Sequence, residues 1–362
     1  MKQQWLLGAL VVLATACDSG RSRRAESVPV EPLPIGADTV VVPWSDLPEA
    51  GWLGGRRWVV VGADFDAAML VDFTTREARP IGAGRNPELA KPFAVFTVGD
   101  TAFIADWGRR RLTIWSPEGR LLDTVPAPAA MRGMLPRGRD AAGQYYFEIP
   151  PVAGADGRGM LDSAVVVRSN ATLSVFDTVA KLTPLDMVEI SEARGKRFER
   201  LVFSGSDWWG VLPDGRLWVA RVRRSEVSTI ENRRERRGER LPDPVLEVTP
   251  PDREQYVTTF PPELRSMAEQ LPYAPFHAAF ERGFGGADGL IWLRKARPAM
   301  DSVRRYQVVD SAGRLTRVFS TLGQGIIVAA GRDAVLLAEQ FRGGVRLMEV
   351  RIPAPPVLTP EP

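Results

Sequence analysis

The chain has 362 residues, 44% hydrophobic and 25% charged, with a formal net charge of +3. That length and composition suit a large folded core and exclude wholesale disorder. One cysteine, Cys17, excludes an internal disulfide framework and a thiolate-rich metal site, and one histidine, His277, excludes copper, haem and zinc centres built on several histidines.

Residues 1–16 read as a lipoprotein signal peptide. Lys2 supplies a positive start, and Trp5 to Ala16 is an apolar stretch of twelve residues, short of the roughly 20 needed to span a bilayer. Ala14-Thr15-Ala16 then leads into Cys17. This resembles the lipobox of bacterial lipoproteins, in which the cysteine thiol is acylated and becomes the new N-terminus. The resemblance implies lipid attachment at Cys17, a membrane anchor, and location in the cell envelope on its extracytoplasmic face. The plainer alternative is an ordinary signal peptide with a coincidental cysteine. Residues 17–36 are rich in Ser, Arg, Pro and Glu and read as a flexible tether.

From residue 37 to 353 the chain repeats. Val61-Gly62-Ala63-Asp64-Phe65 followed by Leu70-Val71-Asp72-Phe73 aligns with Phe103-Ile104-Ala105-Asp106-Trp107 followed by Leu112-Thr113-Ile114-Trp115, at an offset of 42 residues. Further copies begin with a Gly turn feeding an apolar strand, at Gly55, Gly99, Gly143, Gly215, Gly289 and Gly331. Their apolar anchors, Trp58, Phe103, Tyr146, Trp218, Trp292 and Leu336, are 45, 43, 72, 74 and 44 residues apart. Units of this size cannot bury both faces alone and must pack around an axis, which predicts an all-β, six-bladed β-propeller.

Two spacings are wide. Between Tyr146 and Trp218 the strand-like runs 163–168 and 172–182 predict a third unit with longer loops, with a hidden seventh blade as the alternative. Between Trp218 and Trp292, residues of about 250–280 carry Pro250, Asp252, Pro262 and Glu263 ahead of apolar positions, which predicts a small helical insertion. The strand Thr39–Trp44 has no repeat of its own and is expected to pair with the last unit, Val345–Ile352, closing the ring. Residues 354–362 form a Pro-rich tail.

The run Ala105 to Gly119 is similar to an NHL-type propeller repeat. With Asp207-Trp208-Trp209-Gly210, Thr249-Pro250-Pro251-Asp252 and Ala287-Asp288-Gly289-Leu290-Ile291-Trp292, it resembles uncharacterised bacterial six-bladed propeller lipoproteins of the NHL-like and TolB-like kind. The resemblance implies an exported scaffold and supplies no catalytic residues.

The candidate chemistry is sparse. Asp64, Asp106 and Glu339 fall at corresponding strand ends and could ring one face to hold Ca²⁺. That arrangement resembles propeller lactonases and makes a Ca²⁺-dependent lactonase or arylesterase the alternative function. The plainer account is that an Asp after a strand binds its own turn, and Arg221 in the fourth unit breaks an all-acid ring. His277 is either a general base or a packed histidine. Arg221 to Arg240 holds eight Arg and four Glu, either a polyanion patch or a solvated strand pair. Trp208-Trp209 either stacks a ligand or packs between blades. Asn170-Ala171-Thr172 fits a glycosylation sequon that lipobox context makes irrelevant. The expected protein is a monomeric, membrane-tethered binding scaffold for a protein, peptide or envelope ligand, without nucleic acid and without a cofactor other than the Ca²⁺ alternative.

Overall fold

The fold was analysed in a computed structural model, which describes residues 28–34, 38–62, 67–82, 88–152, 158–192, 195–242 and 244–354. The signal peptide, Cys17, Asp64 and most of the tether and tail lie outside the described residues.

Six four-stranded antiparallel sheets follow one another along the chain as blades, each running from an innermost to an outermost strand. Blade 1 spans Glu49–Trp52 to Glu77–Ile81, blade 2 Pro92–Val98 to Leu121–Pro126, and blade 3 Gly138–Arg139 to Phe176–Lys181. Blade 4 spans Trp208–Val211 to Arg234–Arg240 and blade 5 Phe280–Gly285 to Leu315–Leu322. Blade 6 has only three strands from its own repeat, Ile326–Ala330, Ala334–Phe341 and Gly344–Arg351. Its fourth is β2 (Thr39–Val42), which pairs antiparallel with the last strand in the register Thr39 to Met348 and Val42 to Val345. Pro43 ends β2 because it has no N–H to continue the ladder, and Trp44 folds onto Gly62 of blade 1.

The repeat anchors all sit on the second strands of their blades. Trp58, Trp218 and Trp292 are among the largest fully buried side chains. Six buried clusters fill the six gaps between neighbouring blades. Val59, Ile104 and Trp115 pack between blades 1 and 2, for example, and Trp58, Leu336 and Leu347 between blades 6 and 1. A two-faced sheet buried on both sides explains why most of these strands read as continuous apolar runs rather than alternating ones.

The turns follow local chemistry. In Ser116-Pro117-Glu118-Gly119 the Gly119 amide donates to the Ser116 carbonyl at 2.8 Å, and Gly119 takes φ of +72°, a conformation that favours glycine. The Ser116 hydroxyl accepts from the amides of Glu118 and Arg120.

The wide spacing after Tyr146 has a different origin from the one predicted. Strands Val165–Ser169 and Phe176–Lys181 complete blade 3, and a separate two-stranded hairpin, Met187–Glu192 with Gly195–Arg200, stands outside the six blades. It is neither a longer loop nor a seventh blade. Between blades 4 and 5 stand α1 (Pro250–Thr258) and α2 (Arg265–Glu269). No helix among the described residues is long and apolar enough to cross a membrane.

A further strand, β1 (Val30–Pro32), lies parallel on the outer edge of blade 5, in the register Val30 to Val318 and Pro32 to Ser320. Glu31 forks onto the Arg317 guanidinium and fixes that register. Outermost strands run toward the end of the ring where innermost strands begin. The chain therefore enters β1 from the opposite end.

Candidate binding site at the propeller axis

The innermost strands of all six blades converge on a central cavity of about 210 Å³. Its wall includes Glu49–Trp52, Ala94–Val98, Trp208–Leu212, Arg282–Ala287 and Val328–Ala330. Crowding at the axis explains the small residues here. A Cβ on Gly210 would lie 2.9 Å from the Trp218 ring, and one on Gly51 2.6 Å from Thr97.

Two polar bridges tie blades together at this wall. Arg282, near the start of the blade 5 innermost strand, pairs with Glu49, the first residue of the blade 1 innermost strand, at 2.9 Å. Blade 6 lies between those two, so the pair reaches past a whole blade across one mouth of the cavity. The Arg282 guanidinium also sits 5.8 Å from the Trp208 ring centre. Glu148 of blade 3 accepts from the Trp209 indole at 2.7 Å and from Arg137 at 3.0 Å. Trp208 and Trp209 thus divide their surfaces. Each packs into a gap between blades, at the blade 4–5 and blade 3–4 contacts respectively, and each also lines the cavity.

The sequence-predicted acids behave differently. Asp106 is fully buried, and its carboxylate accepts the backbone amides of Ala90, Lys91 and Arg109 at 3.1, 2.8 and 3.4 Å. It fastens the end of its strand to the segment entering blade 2. Glu339 pairs with Arg346 on the adjacent strand at 2.9 Å. Among the described residues no three His, Cys, Asp or Glu side chains gather as a metal site. In blade 4 the equivalent slot holds Arg221, and its partner is Asp207 from the segment entering that blade, at 2.9 Å with both side chains buried. Asp207 also accepts the Thr183 amide and hydroxyl, both at 2.8 Å, and the Val222 amide at 3.0 Å. One task, locking a blade entry, is carried out by an acid from the strand end in blade 2 and by an acid from the entry segment in blade 4.

His277 sits beside an acid. Its Nε2 lies 3.3 Å from Asp252 Oδ2 without hydrogen-bond geometry, and its ring is tilted at 48° to Phe203, 4.8 Å between centres. Asp252 caps α1: its carboxylate accepts the Thr249 amide at 2.7 Å and the Thr249 hydroxyl at 2.6 Å. The same carboxylate accepts the Ala299 amide of blade 5 at 2.6 Å. Burial works to raise the Asp252 carboxyl, but the Thr249, Ala299 and His277 contacts outweigh it and hold it down at about 2. Asp252 was visible in the sequence only as part of Thr-Pro-Pro-Asp, a helix-start pattern.

The arginine-rich run is the outer strand pair of blade 4. Glu226–Glu231 is largely buried, while Arg234–Arg240 is largely exposed. Its acids are interleaved partners, since Glu235 pairs with Arg221 at 2.9 Å and Arg224 at 2.7 Å. Asn170 accepts the Ser174 and Val175 amides and so closes its own turn.

No family model and no curated protein sequence matches the chain. Among solved structures, a DUF4221-family member from Bacteroides vulgatus is similar at a TM-score of 0.53 and 8% identity, over 89% of this chain and 98% of that one. Virginiamycin B lyase from Staphylococcus aureus is similar at 0.43 and 10%, over 87% and 99%. The calcium-binding protein regucalcin from Agrobacterium tumefaciens is similar at 0.42 and 10%, over 89% and 96%. At these identities the likeness shows the six-bladed propeller fold alone.

Proposed function

We propose that this propeller is a lipid-anchored binding module of the cell envelope that takes a peptide or protein segment at the axial mouth. The observation that carries this reading is the mouth itself. Half-buried Trp208 and Trp209 stand beside Arg282 on a concave surface, and Trp and Arg are the residues that most often dominate binding energy when they line such pockets. The Arg282–Glu49 pair offers a guanidinium and a carboxylate within one reach, matching the paired donors and acceptors of an extended peptide.

The direction of β1 suits a lipid anchor at Cys17. Because β1 is entered from the end opposite the Arg282–Glu49 mouth, a lipid at Cys17 would turn that mouth away from the membrane and toward its ligand. Metabolic labelling with a palmitate analogue tests the anchor, and Cys17→Ser should abolish the label. Selection of a random peptide library on the chain tests the mouth. Enriched peptides should bind Trp209→Ala and Arg282→Ala at least about tenfold more weakly. Peptides that bind both variants as well as the parent would overturn the reading.

A further inference from the structure

A second cavity of about 210 Å³ lies between α1 and blade 5, away from the axis. Its apolar wall is the Phe203 and Tyr256 rings with Pro298 and Ala299. Its polar wall contains Asp252, His277, Glu281, Arg297 and Arg304. The acids here are already engaged. Asp252 holds Thr249, Ala299 and His277, and Glu281 pairs with Arg294 at 3.0 Å. Asp301, just beyond the cavity, is held by Arg305 at 2.9 Å and by the Val303 amide at 2.8 Å.

The bases are not balanced. Arg297 donates to the Asp301 carbonyl and also lies near the Asp301 carboxylate, which Arg305 already holds. Arg304 has its Nε buried without a partner. Burial, and next to it the Arg297 guanidinium, push Arg304 below its ordinary value. A guanidinium stays charged at any physiological pH, and half-burying Arg304 beside a second guanidinium is costly even with Glu281 nearby.

We infer that this cavity is a binding site for a small organic anion, whose carboxylate or phosphate head meets Arg297 and Arg304 while its body lies against Phe203 and Tyr256. The two guanidiniums give the forked donors that suit an oxyanion, and the rings beside them give the head an apolar neighbour. The site is separate from the axial mouth, so its occupancy does not depend on that reading. It lies at the same end of the ring, because Glu281, Arg297 and Arg304 all sit where the blade 5 innermost strand begins.

The test is titration of the full chain with inorganic phosphate and, separately, with benzoate, followed by calorimetry and by the melting temperature. The expected result is saturable binding of one or both anions, at least about tenfold weaker in Arg304→Met and in Arg297→Met. The control Arg342→Gln, on an exposed turn of blade 6 that does not line the cavity, should bind like the parent. Without anion, Arg304→Met should melt no lower than the parent, because it removes one of two neighbouring cations while keeping an apolar stem. Preference for benzoate would assign a carboxylate ligand, and preference for phosphate a phosphorylated one. Absence of saturable binding of both anions, or binding that neither methionine variant weakens, would overturn the inference. Should Arg304→Met fail to fold, Arg297→Met alone decides between these results.

Discussion

The Trp58 indole donates to Glu349 Oε1 at 2.9 Å across 291 residues of sequence, joining the first blade to the last. Glu349 also receives the Arg56 guanidinium, which in turn reaches Asp38 just ahead of β2. Ring closure is therefore secured twice, by the β2 ladder and by a polar relay beside it. Glu349→Ala should cost about 1–3 kcal/mol in urea denaturation, because it strands a buried indole N–H and an arginine. Glu349→Gln keeps an acceptor for Trp58 and should cost less. Equal losses in the two variants would mean that the carboxylate charge, not the Trp58 bond, is what matters.

Removing residues 38–44 takes away the ladder together with the Asp38 end of the relay. The outer edge of blade 6 would be left unpaired and Val42 and Trp44, both buried, would leave their cluster. A melting temperature lower by several degrees is expected. An unchanged melt would show that β2 is dispensable for closure.

The Asp207–Arg221 pair should behave unlike the surface pairs. Its side chains are 0% and 9% exposed, against 38% and 66% for Glu189 and Lys196. Asp207→Ala should cost about 2–4 kcal/mol, because it removes one of the two carboxylates on a buried guanidinium and strands the Thr183 and Val222 amides. Glu189→Ala should cost less than about 1 kcal/mol. Denaturant midpoints of the two variants make the comparison directly.

Acid should loosen α1. The Asp252 carboxyl is held at about 2 against an ordinary 3.8. A depressed acid contributes stability that is complete above its unfolded value and is lost as pH falls through its folded one. The contribution is about 2 kcal/mol at neutral pH, declining from about pH 5 to pH 2. Denaturation at a series of pH values should show this decline, and Asp252→Asn should flatten it. A variant with the same slope as the parent would place the effect elsewhere.

Calcium makes the opposite kind of prediction. The Asp106 carboxylate already holds three amides and Glu339 holds Arg346. Adding Ca²⁺ and then excess chelator should leave the melting temperature where it was. A bound ion at 100 times its dissociation constant would raise stability by about 2.7 kcal/mol, so a clear shift would return the lactonase alternative to contention.

The ring was legible because propellers write their periodicity into the chain. Trp58, Phe103, Tyr146, Trp218, Trp292 and Leu336 could be aligned before any contact was known, and each occupies the same strand of its blade. The unmatched strand before the first repeat had only one place to pair. The hairpin after blade 3 was not legible, since strand-like residues carry no mark saying which sheet they join. Polar contacts were harder still. Arg282 and Glu49 lie 233 residues apart and meet only because the axis brings strand starts together. Asp207 and Asp106 do the same work from different positions in their repeats, so alignment of like with like pointed to Arg221 and missed its partner.

β2 also sets a clock. The segment that completes the last blade leaves the ribosome near the beginning of synthesis, and its partner Gly344–Arg351 leaves near the end. No arrangement of the intermediate blades can seal the circle before then, and contacts this distant in sequence form slowly. A partly made chain thus carries β2 unpaired and the blade 6 side of blade 1 uncovered through most of its translation. A protein built this way becomes a ring only once its last strand has been made.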